Sequence, residues 1–189
     1  MSHRQSVHDL EALMRSFHSL IAVETVEEER VRAIVAEVAA TLQQSFFEWS
    51  VASGFRRGHG VAIGNTHDAL GALKHIAGMT GDAIYLLKDL GPHLGKPEVC
   101  RALRELAEKM THTRSAIVLT GEPLELPRDI EGIAVRFAGE GAGAVYACGL
   151  RDAVWRATLS RRRNTRPRPS WPARGRSRCR RCCASARSR

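Results

Sequence analysis

Apolar positions along the 189-residue chain follow two rhythms. Five short stretches are dense in apolar residues at consecutive positions: 20–23, 46–51, 83–87, 116–119 and 133–137. Between them apolar residues recur every three or four positions over helix lengths. A stretch apolar on both faces of the pleat needs cover on both sides, which is the pattern of a strand inside a parallel sheet. The alternation predicts a three-layer α/β fold, a mostly parallel five-stranded sheet between two layers of helices. Its organising strand is the third, where Ala83 to Leu87 runs into Lys88 and Asp89 and stops at Gly91-Pro92.

The helical segments carry their own signals. Leu10, Leu13, Met14 and Phe17 share one helix face, with Asp9 placed as a cap. Thr25 predicts an N-cap, Glu28 completes a capping box, and a helix runs from there to about Leu42 with Val31, Ile34, Val35 and Val38 facing the sheet. Residues 52–66, rich in Gly, Arg and His, predict a surface loop. Thr66 or Asp68 starts the next helix, striped by Leu70, Leu73, Ile76 and Ala77 and ended by Gly78 and Gly81. Pro97 opens another, with Val99, Leu103, Leu106 and Met110 inward. Residues 124–130 read as a proline-containing connection with about one helical turn.

Charge divides the chain. From Arg151 onward there are fourteen Arg, no Lys and one acid, Asp152, a balance of +13; the preceding residues hold fifteen basic and nineteen acidic side chains, a balance of −4. The sequence therefore predicts a folded domain over residues 1–138 and a low-complexity basic tail over 139–189. The tail has hardly any aliphatic residues beyond Ser160, so it cannot bury enough surface to offset ordering entropy and reads as disordered. Its mixture of Arg, Pro, Ala, Ser, Gly, Cys and Trp without Lys also matches a GC-rich coding sequence read out of frame. If genuine, it would bind nucleic acid electrostatically. No apolar run approaches the roughly 18 residues of a membrane span, which predicts a soluble, cytoplasmic body. Cys100, Cys148, Cys179, Cys182 and Cys183 form no disulfide framework.

Candidate chemistry is sparse. A phosphate-binding loop needs Gly-rich backbone, a Lys and a Ser or Thr. The first strand-to-helix turn instead reads Glu24-Thr-Val-Glu-Glu-Glu29, whose carboxylates occupy the helix dipole and repel phosphate. Gly95-Lys96 is followed by Pro97 where a hydroxyl is required and sits after the wrong strand. Lys88 and Asp89, at the end of the central strand, are the weak candidates for cofactor binding: Asp89 occupies a place from which an acid can hold magnesium. The alternative is a structural pair that bonds to neighbours. The eight His are scattered without metal-ligand spacing, and Ser50, Ser53 and Ser115 lack a nucleophile-elbow motif. No catalytic or metal-binding set emerges.

Six stretches in order carry a resemblance: Ile21-Ala-Val-Glu-Thr-Val-Glu-Glu-Glu-Arg30, Phe47-Glu-Trp-Ser-Val-Ala-Ser-Gly-Phe55, Asn65-Thr-His-Asp-Ala-Leu-Gly-Ala-Leu73, Ile84-Tyr-Leu-Leu-Lys-Asp-Leu90, Arg114-Ser-Ala-Ile-Val-Leu119 and Leu124-Glu-Leu-Pro-Arg-Asp-Ile130. From about Leu10 to Ala138 the chain resembles the amino-terminal region of uncharacterised AAA-family ATPases of bacteria, cyanobacteria and plastids. The resemblance implies a degenerate P-loop nucleotidase fold with strand order 5-1-4-3-2, lying ahead of a catalytic AAA module that uses ATP and magnesium. No residue of that module's loop, magnesium site or arginine finger exists here. The implied role is a non-catalytic accessory domain, truncated before the catalytic module, contacting a protein partner or that module and needing no cofactor itself. Two other readings stay open: a nucleic-acid-binding protein acting through its Arg-rich tail, and an atypical ATP-binding protein using Lys88 and Asp89.

Overall fold

The computed structural model describes residues 3–58, 60–64 and 66–137; residues 138–189, with the predicted tail and its cysteines, lie outside the described residues. The predicted strands form as β1 (Leu20–Glu24), β2 (Ser45–Ser50), β4 (Ala83–Lys88), β5 (Ala116–Gly121) and β6 (Val135–Arg136). One further strand, β3 (Gly54–Arg57), lies in the region expected to be a loop. The sheet is therefore six-stranded, in the order β3-β2-β4-β5-β1-β6. All neighbours are parallel except β2 and β3, which form an antiparallel hairpin with Trp49 opposite Phe55. Without β3, the order of the predicted strands is the 5-1-4-3-2 that the resemblance implied.

Strict alternation along the buried strands splits the core in two. Tyr85 and Leu87 of β4, with Ile117 and Leu119 of β5, face α3 (Ala69–Gly78) and α4 (Pro97–Met110). Ile84 and Leu86, with Ala116 and Val118, face α1 (His3–Arg15) and α2 (Glu28–Leu42). The central strand is buried at all six positions, as a strand covered on both faces must be. Asp68 caps α3, its Oδ2 accepting from the Gly71 amide at 3.0 Å, and Pro97 opens α4, whose Val99, Leu103, Leu106 and Met110 are all buried. The short α5 (Arg128–Glu131) is the single turn expected after the prolines.

Four expectations change. α1 begins six residues earlier than Asp9, which sits inside the helix and accepts from Gln5 Nε2 at 2.8 Å. Phe17 falls outside that helix at φ 61 and is exposed. Thr25 does not cap α2. Its Oγ1 accepts from the Glu27 amide at 3.0 Å, forming a local turn, and the helix starts at Glu28 without a side-chain cap. Ala77 is exposed, so the α3 stripe is narrower than its spacing suggested.

β3 arises because Gly54 takes φ 66, a left-handed turn position open to glycine, and reverses the chain after Ser50. Thr66 then anchors the hairpin: its Oγ1 accepts from the Phe55 amide at 2.8 Å, and its carbonyl accepts from Trp49 Nε1 at 2.6 Å.

Candidate functional site at the carboxyl edge of the sheet

In open α/β sheets ligands bind beyond the carboxyl ends of the parallel strands. At this edge β1 ends in Glu24, β4 in Lys88 and β5 in Gly121. The Thr25 amide donates to the Gly121 carbonyl at 3.2 Å and the Asp89 amide to the Thr120 carbonyl at 3.3 Å, so the three strand ends are tied together.

Lys88 continues the Ile84–Leu86 alternation and so turns to the α2 face, where it is 8% exposed. Its Nζ lies 3.2 Å from Glu29 Oε1 and 3.9 Å from Glu48 Oε2. Glu48, on β2, is 1% exposed and gathers two more cations: Arg32 Nε of α2 at 3.0 Å and Arg56 Nε of β3 at 2.9 Å. The Arg32 contact is a hydrogen bond, whereas Arg56 is close without the alignment of one. A carboxylate this deep is tolerated only when paired. Glu48 is thus the hub joining α2, β2, β3 and β4, and Lys88 is one of its spokes.

Thr120, opposite Lys88 in register and on the same face, is fully buried, and its Oγ1 has no hydrogen-bond partner among the described residues. Glu28, at the start of α2, has its carboxyl pushed above the usual range, first by burial and then by the nearby Asp89 charge, with Lys88 opposing.

Asp89 departs from the strand. It takes φ 57, is exposed and lines a cleft on the other side of β4. The structure therefore separates the two candidates that adjacent sequence positions suggested: Lys88 is held inside an ion-pair network and Asp89 opens to solvent. The cleft has a volume of about 610 Å³ and lies between the Gly91–Gly95 turn and the 121–127 loop. Leu94 and Leu124 bury their side chains beneath it, and a Cβ on Gly91 would come within 3.3 Å of Leu124 Cδ1, so the walls meet closely at the base.

The serines are structural. Ser115 Oγ accepts from the Ala83 amide at 3.2 Å, and Ser50 and Ser53 bond to each other across the hairpin turn at 2.7 Å. Among the described residues no three His, Cys, Asp or Glu side chains group as a metal site, and no helix is long and apolar enough to cross a membrane. Sequence reasoning missed Glu48, Arg32, Arg56, Thr120 and the cleft. A signal for Glu48 was present: one acid inside the aromatic run Phe46-Phe47-Glu48-Trp49.

Comparison with known proteins agrees with this architecture. Two curated relatives, both described as an uncharacterized AAA domain-containing protein ycf46, are 24% identical over 129 residues (Trieres chinensis) and 28% identical over 128 residues (Guillardia theta). Each alignment covers 66% of this chain but only 26% and 25% of the relative, so the chain spans about a quarter of their length. No solved structure matches. A family model described as the SpoVK-like AAA ATPase N-terminal domain matches residues 6–138, most of the chain, and the chain belongs to that family.

Proposed function

We propose that residues 1–138 form a non-catalytic accessory domain, a P-loop-like fold without a working nucleotide site, which serves an AAA ATPase by contact with a protein partner or with the catalytic module. The observation that carries this reading is the engagement of Lys88. The one lysine at the carboxyl edge of the central strands is buried, and its ammonium is held between the Glu29 and Glu48 carboxylates rather than presented to the edge. Three glutamates stand where a phosphate loop would present backbone amides, and they reinforce the exclusion of anions.

Isothermal titration of the full chain with magnesium-ATP up to millimolar concentration tests this reading, with no saturable heat expected. Magnesium-dependent binding that disappears in Asp89→Ala overturns it and favours an atypical ATP site. The same reading takes residues 139–189 as an out-of-frame continuation. Resequencing the locus and translating every frame beyond the Ala138 codon checks this, a Gly-x-x-x-x-Gly-Lys-Ser/Thr continuation being the expected outcome. Without such a frame the arginine-rich tail is genuine, and nucleic-acid binding through it becomes the reading to pursue.

A further inference from the structure

The cleft beyond β4 and β5 combines proline walls with an acidic rim. Pro92, Pro123 and Pro127 stand in its walls, and proline has no N–H to donate. Asp89, Glu122 and Glu125 rim it, all three exposed, and no Lys, Arg or His is among its lining residues. Lys96 and Arg128, which follow the two walls in sequence, stay out of it. The walls are therefore rich in acceptors, poor in donors and formally −3 at neutral pH. The half-buried Leu126 adds apolar surface at the same place. By contrast, several neighbouring carboxylates are already matched: Glu24 and Glu131 to Arg136, Glu27 to Arg30 and Glu29 to Lys88.

We propose that this cleft seats an extended, arginine- or lysine-bearing segment of a partner polypeptide, its cations on Asp89, Glu122 and Glu125 and its apolar or proline residues on the proline walls. The inference rests on the accessory-domain reading and names its partner class. Charge complementarity selects the occupant: a guanidinium supplies the donors that the walls lack, and its planar fork suits carboxylates. A phosphate or an acidic peptide is repelled by the same three groups. The walls are preformed by proline and by the buried Leu94 and Leu124, so little ordering is required on binding.

The test is fluorescence anisotropy of a labelled alternating arginine–proline hexapeptide titrated with the full chain at low salt. Saturable binding is expected, weakening by about five- to tenfold in the double variant Glu122→Gln/Glu125→Gln and falling with added salt. Glu105→Gln/Glu108→Gln, which removes the same charge from the exposed face of α4, controls for net charge and should leave affinity within about twofold. No binding, or equal weakening by both double variants, overturns the cleft. ATP titration of the same preparation judges the accessory-domain reading separately: nucleotide binding defeats that reading, whereas peptide indifference with no nucleotide binding defeats the cleft alone.

Discussion

Two regions on either side of the end of β4 are built from adjacent residues and reach opposite solutions. Under α2, Lys88, Arg32 and Arg56 converge on Glu48, and each of these charges has a partner within the fold. Beyond Asp89, three carboxylates face an open cleft with no cation among its lining residues. The difference comes from one step of the pleat plus one left-handed residue: Lys88 still follows the strand's alternation, whereas Asp89 at φ 57 has left it. Charge buried on the helix side is structural by necessity, because removing water forces pairing. Charge on the loop side keeps its hydration.

The sharpest way to break this comparison is Glu48→Ala. It leaves three cations around an empty buried site and should cost about 3–5 kcal/mol in chemical denaturation; a loss below about 1 kcal/mol would mean that the network is not closed. Thr120→Val comes next. Replacing a buried hydroxyl that has no partner with a methyl of similar shape should stabilise the fold by about 1 kcal/mol, measured as a rise in Tm; a destabilisation of similar size would reveal a hydrogen bond to Oγ1.

The smallest effect sits on the boundary between the regions. The Glu28 carboxyl lies above its ordinary value of 4.5 through burial and then through Asp89. A raised folded pKa means that the native state holds the proton more tightly, so the linked stability is fully present below 4.5 and is lost as pH rises through the folded value. Asp89→Asn removes the repulsion and suits the left-handed backbone, so it should shrink that loss. Because Glu28 is partly exposed, solvent screening holds the change to about 0.5 kcal/mol or less. NMR titration of the Glu28 side chain in both proteins checks the direction, and a pKa unmoved by Asp89→Asn would separate the two regions electrostatically.

Much of the fold was legible because its signals are local. Consecutive apolar residues at 83–87 and 116–119 can be covered only by helices on both faces, and Asp68 and Pro97 start helices through contacts within one turn. Glu28 three residues after Thr25 satisfied the capping-box pattern, yet the pattern failed here because Thr25 bonds one residue short of it. The hairpin was concealed by composition: Gly, Arg and His across 52–66 resemble a loop, and only the turn at Gly54 and the anchoring by Thr66, eleven residues beyond Phe55, make 54–57 a strand.

Sequence by itself determined the fold class, most of the strand and helix positions, the lack of a phosphate loop after β1 and the structural alternative for Lys88. Each follows from spacing within about a turn or a strand, where local geometry leaves few choices. Tertiary structure alone decided that Glu48 is the hub, with partners on three other elements, 16 residues back at Arg32 and 40 residues on at Lys88. It also decided that two loops, 91–95 and 121–127, face each other across an acidic cleft. Burial and long-range pairing exist only once the sheet order brings distant strands together, and no pattern along the chain encodes that distance.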